Sequence, residues 1–173
     1  MEFTMIAIKE ILVATDFGPA ADNALRYGEA LAREFSARLH VLHVVPNMYA
    51  TSMDGYGYAA IPAYVQEDIE TAARRHMRER VSEEDRQELR AKTTVVTHNS
   101  PAVAITDYAK QHAIDLIVLG THGRGAVAHM LLGNVAERVV RIAPCPVLTV
   151  RDPEHEFVLP DALVAVSVAE KGD

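Results

Sequence analysis

The sequence lacks several features that would point to particular functions. It holds a single cysteine in 173 residues. Cys145, within Pro144-Cys145-Pro146, has no partner for an internal disulfide, which fits a reducing compartment. We read it as a buried, inert thiol. Only four lysines occur and the net charge is −7, which argues against a surface that tracks nucleic-acid phosphates but leaves room for a local basic pocket. No apolar run approaches the roughly 18 residues of a membrane span. The opening MEFTMIAIKE shows neither a basic leader nor a cleavage site. The expectation is a cytoplasmic protein with no membrane and no nucleic-acid partner. There is also no GxxxxGK[ST] loop and no GxSxG turn, so neither a P-loop phosphotransferase nor a serine hydrolase is supported.

Apolar residues make up 49% of the chain and charged residues 24%, an ordinary soluble balance, and the length suits one domain. Ile11 to Ala14 is a continuous apolar run. Gly18-Pro19 then introduce Ala21, Ala24, Leu25, Gly28, Leu31, Ala32 and Phe35 at helical spacing. Leu39 to Val45 is a second run, followed by a helical face of Val65, Ile69, Ala73 and Met77. Thr93 to Thr97 is β-branched throughout, and Asn99-Ser100-Pro101 reads as a cap and first turn for a helix burying Ala102, Ile105 and Ala109. Leu116 to Leu119 is a fourth strand. Asn134 can cap a last helix with Val135, Val139 and Ile142 inward, and Pro146 to Val150 closes the pattern. Five apolar strands alternating with helices predict an α/β fold, a parallel sheet covered on both faces.

Glycine is also scarce, nine in all, yet four fall in GTHGRGAVAHMLLGN: Gly120, Gly123, Gly125 and Gly133. The stretch follows the fourth strand, and ligands of such sheets bind beyond the strands' carboxyl ends where strand order reverses. The pattern Gly120-x2-Gly123-x9-Gly133-Asn134 opens a helix whose free N–H groups favour an anion. Phosphate is the natural occupant, with Arg124 supplying charge from the rim; a merely tight strand-to-helix loop is the alternative. Asp16, after the first strand, either accepts from a ribose hydroxyl or base amine or serves as a turn or helix cap. His122 and His129 stand near the glycines without the neighbours a metal site needs, so no metal is expected. Gly123-x-Gly125-x2-Ala128 imitates a dinucleotide fingerprint but lacks the acidic residue about twenty positions on.

ILVATDF, LHVV, DLIVLGTHGRG, LLGNVAERVV and APCPVLTVR, in this order and spacing, resemble the universal stress protein family over about residues 5–151. The resemblance implies a doubly wound five-stranded sheet of order 3-2-1-4-5, a homodimer, and ATP or a related adenine nucleotide, with or without Mg2+. Carried over by position, Ala14, Thr15, Asp16 and Val44 would border the base and ribose. Leu119, Gly120 and His122 would line the near edge, and Gly123, Arg124, Gly133, Asn134 and Val135 the phosphates. Asn134 departs from the pattern, which has Ser or Thr there. The function so implied is a nucleotide-binding stress-response or signalling module, dimeric through the edge strand 146–150 and acting on an unknown protein partner. The competing readings are a nucleotide-free dimeric scaffold and a slow ATPase or adenylate-handling hydrolase, for which no catalytic residue is evident near the glycines.

Outside the pattern, Met48 to Tyr64, rich in tyrosine, forms either a lid or a surface loop. Arg74 to Arg90 reads as a solvated, densely charged helix face. The tail, 152–173, alternates like a strand and could pack on a partner subunit.

Overall fold

The computed structural model describes residues 6–48, 62–121 and 133–151. Their order is β1 (Glu10–Ala14), α1 (Pro19–Phe35), β2 (Arg38–Val45), α2 (Ala63–Arg80), α3 (Glu83–Glu88), β3 (Lys92–Thr97), α4 (Pro101–Gln111), β4 (Leu116–Gly120), α5 (Asn134–Ile142) and β5 (Val147–Val150). The five strands pair in parallel in the order β3-β2-β1-β4-β5, the doubly wound topology expected.

Successive strand residues face opposite sides, and both sides are apolar. Ile11 and Val13 of β1, with Val118 of β4, join a core that includes Ala24 of α1 and Met77 of α2. Leu12, Ile117 and Leu119 face the other way, onto Ala102, Ile105 and Ala109 of α4 and Ala136 and Val139 of α5. Ile11, Leu12, Val13, Ile117 and Val118 are 0% exposed, each burial contributing about 1.5–3 kcal/mol before entropy is counted. Two-sided burial is why these strands read as unbroken apolar runs. Gly28 lets α1 lie close on the sheet: a Cβ there would stand 2.3 Å from Val13 Cγ2. Among the described residues, no helix is long and apolar enough to cross a membrane.

Four details depart from the sequence reading. Phe35 is largely exposed, because α1 ends beside it at Ser36, which takes a left-handed conformation. On α5, Ala136 and Val139 carry the contact, followed by Ala143, while Val135 and Ile142 flank that line and are largely exposed. The last strand begins at Val147, one residue later than expected. The charged run 74–90 is not one solvated face. Buried Val81 ends α2, and Ser82 starts α3 by accepting the Asp85 N–H at 3.0 Å. Arg80 turns inward from that run, donating to Asp22 at 2.8 Å and to the Phe17 carbonyl at 3.2 Å. Cys145 is half-buried, and burial, helped by the negative charge of Asp115, pushes its thiol pKa up. A raised pKa means less thiolate, and so an inert side chain.

Candidate functional site

In the order β3-β2-β1-β4-β5 the chain passes from β1 to β2 on one side and from β4 to β5 on the other. The crevice beyond β1 and β4 is therefore the switch point of the sheet. Ala14 stands opposite Leu42 on one side and Leu119 on the other. Ala14 and Val44 are half-buried against the core under α4 and α5, and Leu119 is 4% exposed within it. These three form a floor of small and branched apolar groups.

Beyond the floor, the end of β1 is tightly held. The Thr15 N–H donates to the Leu42 carbonyl at 2.9 Å, and Thr15 Oγ1 accepts from the Phe17 N–H at 3.0 Å. Asp16 Oδ1 accepts the Gly18 N–H at 3.0 Å, so the turn role weighed for Asp16 is present. Phe17 lies between them at φ 64, a left-handed conformation unusual for a bulky residue and the kind of strain that collects at functional sites. Three contacts from two residues hold it there. The Phe17 ring lies 4.2 Å from that of His43, the Arg80 guanidinium sits 5.1 Å over its face, and Arg80 grips its carbonyl. His43 Nδ1 lies 2.7 Å from the Thr15 carbonyl and must be the donor, since a carbonyl can only accept. Phe17 and His43 entered the sequence reading only within ILVATDF and LHVV, and Arg80 only within the charged run; their roles here come from contacts between distant segments.

The other wall is the end of β4. Gly120 packs directly beneath the first turn of α1, and a Cβ on it would lie 2.8 Å from the Ala20 carbonyl carbon and 2.9 Å from Ala20 Cβ. Packing alone thus demands glycine at this position. The Thr121 N–H donates to the Val150 carbonyl at 2.7 Å, and the Thr121 carbonyl accepts the Gly133 N–H at 2.6 Å. The chain leaves β4 and re-enters at α5 through that bond. His122, Gly123 and Arg124 lie between these points, outside the described residues, as do Gly125 and His129.

Gly133, not Asn134, is the N-cap of α5, and no side chain caps it. Asn134 is the first helical residue, exposed like Val135. The reason is the Thr121 bond, which fixes Gly133 outside the helix while its own carbonyl accepts the Glu137 N–H at 2.9 Å. Gly133 therefore cannot give its N–H to a phosphate. The first-turn amides from Asn134 onward have no acceptor within the helix. Among the described residues, no group of three or more His, Cys, Asp or Glu converges as a metal site.

A second network lies where the chain leaves β2. Gln66, 8% exposed, accepts the Met48 N–H at 3.0 Å, and Thr97 donates to Glu70 at 2.7 Å. Bonds from Thr97 and Arg74 hold the Glu70 carboxyl below its usual pKa. Of the lid or loop read over Met48 to Tyr64, residues 49–61 follow this anchor and lie outside the described residues, and Ala63 and Tyr64 already belong to α2.

A model of the universal stress protein family matches residues 7–151. A universal stress protein of Thermus aquaticus is 36% identical over 149 residues, covering 83% of this chain and 98% of that one. The solved universal stress protein UspA of Lactobacillus plantarum superposes with a TM-score of 0.71 at 32% identity, covering 85% of this chain and all of its own. A universal stress protein of Archaeoglobus fulgidus solved in complex with dAMP shares the fold, with a TM-score of 0.58 at 23% identity.

Proposed function

The chain belongs to the universal stress protein family, and from that premise we propose that it binds an adenine nucleotide, ATP foremost, in the crevice beyond β1 and β4. The observation that carries this reading is the uncapped start of α5, tied by Gly133 to Thr121 at the switch point of the sheet. Its free amides and positive dipole end favour a polyphosphate. Asn134 and Val135 would give backbone N–H groups to phosphate oxygens, with Gly123 and Arg124 completing that cradle. Gly133 contributes by having no side chain in the way. Ala14, Val44 and Leu119 would seat the base, and Thr15 and Asp16 would face the ribose. Gly120 and His122 would border the near edge. Any Mg2+ would enter with the phosphates. The Archaeoglobus fulgidus protein binds dAMP on this fold, which supports an adenine nucleotide as the ligand class.

In this reading the nucleotide acts as a signal. It alters contacts of a cytoplasmic homodimer built on the edge strand 146–150, with 152–173 packing on the partner subunit and a further protein responding. Residues 5–151 form the binding domain. Isothermal titration with ATP, ADP and AMP tests the proposal: micromolar-range binding and a raised melting temperature are expected, since a ligand selective for the folded state stabilises it by mass action. No heat and no melting shift with any of the three would remove it. One observation favours a nucleotide-free scaffold instead. Gly120 and Asp16 each already have a structural reason for being there.

A further inference from the structure

Away from the switch point, the structure holds a cavity of about 230 Å³ between α2, α3 and the middle of β3, lined by Arg74, Met77, Arg78, Arg86, Thr93 and Val95. Three of its six lining residues are arginines, in a chain whose net charge is −7. Repulsion between guanidinium groups disfavours such clustering unless anions offset it. Arg74 has its anion, Glu70 at 2.8 Å. The other two have none: neither Arg78 nor Arg86 forms an ion pair among the described residues. Of the four carboxylates of α3, Asp85 and Glu88 pair with Arg33 of α1 instead. Arg86 is oriented by its Nε, which donates to the Val81 carbonyl at 3.2 Å. Its Nη2 is sealed from solvent and has no hydrogen-bond partner among the described residues. A buried, charged donor left unsatisfied is costly, and a small turn of the guanidinium toward an acceptor in the cavity removes the cost.

We propose that this cavity is a binding site for a small phosphomonoester, separate from the nucleotide crevice. Arg78 and Arg86 bring two uncompensated positive charges, which match a dianion. A carboxylate would satisfy one guanidinium fork; a phosphoryl group offers three oxygens to several. Thr93 adds a hydroxyl, while Met77 and Val95 make an apolar wall for a short carbon body. The volume falls below the roughly 300–1,000 Å³ of drug-sized sites, so a nucleoside triphosphate does not fit. Thr93 and Val95 pair with Val41 and His43 of β2, on the strand farthest from β5 in the sheet order. The site is therefore distinct from the start of α5.

The test is nuclear magnetic resonance of the full chain, titrated at constant ionic strength with inorganic phosphate and with glycerol 3-phosphate. Saturable shifts of the Arg86 Nε–H and of the Thr93 and Val95 amides are expected, with glycerol 3-phosphate the tighter of the two. Arg86→Met should weaken that binding by at least roughly ten-fold. Where loss of the Val81 bond unfolds this variant, Arg78→Met, at an exposed position, must weaken binding with the fold intact. Shifts confined to the amides of residues 133–136 would place the anion at the helix start and overturn the proposal. So would an absence of shifts at millimolar ligand, equal affinity for the two probes, or unchanged affinity in Arg78→Met. Nucleotide titrations read the other amide set, so failure there leaves this result standing.

Discussion

Gly120 lies against Ala20 so closely that a methyl group on the glycine would come within 2.9 Å of the Ala20 side chain and 2.8 Å of its carbonyl carbon. The glycine that ends β4 thus sets how near the first turn of α1 approaches the sheet. Gly120→Ala should destabilise the protein by about 1–3 kcal/mol through overpacking against backbone. Urea unfolding without nucleotide reads this directly. An unchanged midpoint would show that α1 moves aside at no cost and that Gly120 is free for a ligand role alone.

Gly133 differs. Its backbone, φ −68 and ψ 151, is open to any residue, so a side chain there strains no backbone dihedral. Gly133→Val exchanges a tolerated N-cap for a poor one, at about 1 kcal/mol, while its methyl groups would occupy the place proposed for phosphate. The variant should remain folded by circular dichroism and lose ATP binding in calorimetry. Retained binding would move the phosphates away from the start of α5.

These two glycines show how far the sequence could be read. Strands stood out because two-sided burial leaves unbroken apolar runs such as Ile11 to Val13. The parallel sheet followed from the alternation with helices, and its strand order from the family resemblance alone. The reason for Gly120 was invisible, since its neighbour Ala20 is a hundred residues away in the chain and neither residue is unusual alone. Asn134 read as the cap of the last helix; the hydrogen bond from Gly133 to Thr121 makes Gly133 the cap instead, and no local preference encodes it. The left-handed Phe17 follows no residue rule at all. It is held by His43 and Arg80 from two other elements. On α5, apolar spacing fitted more than one face, and Ala136 rather than Val135 meets the core because small residues admit the close approach of α4.

Glu29 of α1 has its pKa raised to about 7, first by burial, then by the negative charge of Asp85, against which Arg33 acts. A folded-state value above the unfolded one means that folding favours the protonated form. The stabilisation is complete below the ordinary carboxyl value of 4.5 and is lost as pH rises through about 7. Glu29→Gln keeps the shape without the charge. It should raise the melting temperature at pH 8 and leave it unchanged at pH 4. Equal effects at both values would show that Glu29 is not charged at the cost of stability.

His40 works in the opposite direction. It is 3% exposed, with Nε2 2.7 Å from Glu10 and Nδ1 2.9 Å from the Tyr108 hydroxyl. An ionised carboxylate only accepts, so the proton sits on Nε2 and Tyr108 donates to Nδ1. Burial lowers the His40 pKa despite the pull of Glu10, so its stabilisation holds above the ordinary 6.5 and is lost as pH falls through the lower folded value. Tyr108→Phe leaves Nδ1 without a donor and should cost about 1–3 kcal/mol at neutral pH. Denaturant titration showing no loss would mean that water replaces the hydroxyl.

For the dimer, Leu148 and Val150 are poor probes, because both pack into the core of their own subunit. Val140 and Ile142 of α5, the helix that leads into β5, are 48% and 43% exposed. Val140→Glu with Ile142→Glu should convert a dimer to monomer in light scattering while the melting temperature holds. A monomeric parent protein would defeat the proposal outright.

Asn134 stands where the family's nucleotide-binding pattern has Ser or Thr. As the first helical residue it does not cap α5, and its side chain is exposed. Asn134→Ala should therefore change stability by less than about 0.5 kcal/mol, the usual range for an exposed site, which leaves ligand contact as the only source of a large effect. If its amide nitrogen donates to a phosphate oxygen, the variant should bind ATP roughly ten-fold or more weakly, as a charge-assisted bond of about 1.5–3 kcal/mol requires. Asn134→Ser restores the family residue and should match or exceed the parent. The pairing is decisive because Asn, Ala and Ser all leave the Gly133 to Thr121 bond untouched. Equal ATP affinity in all three would assign the phosphate contacts to backbone amides alone, and a rapid turnover that vanished in Asn134→Ala would instead make the protein an ATPase.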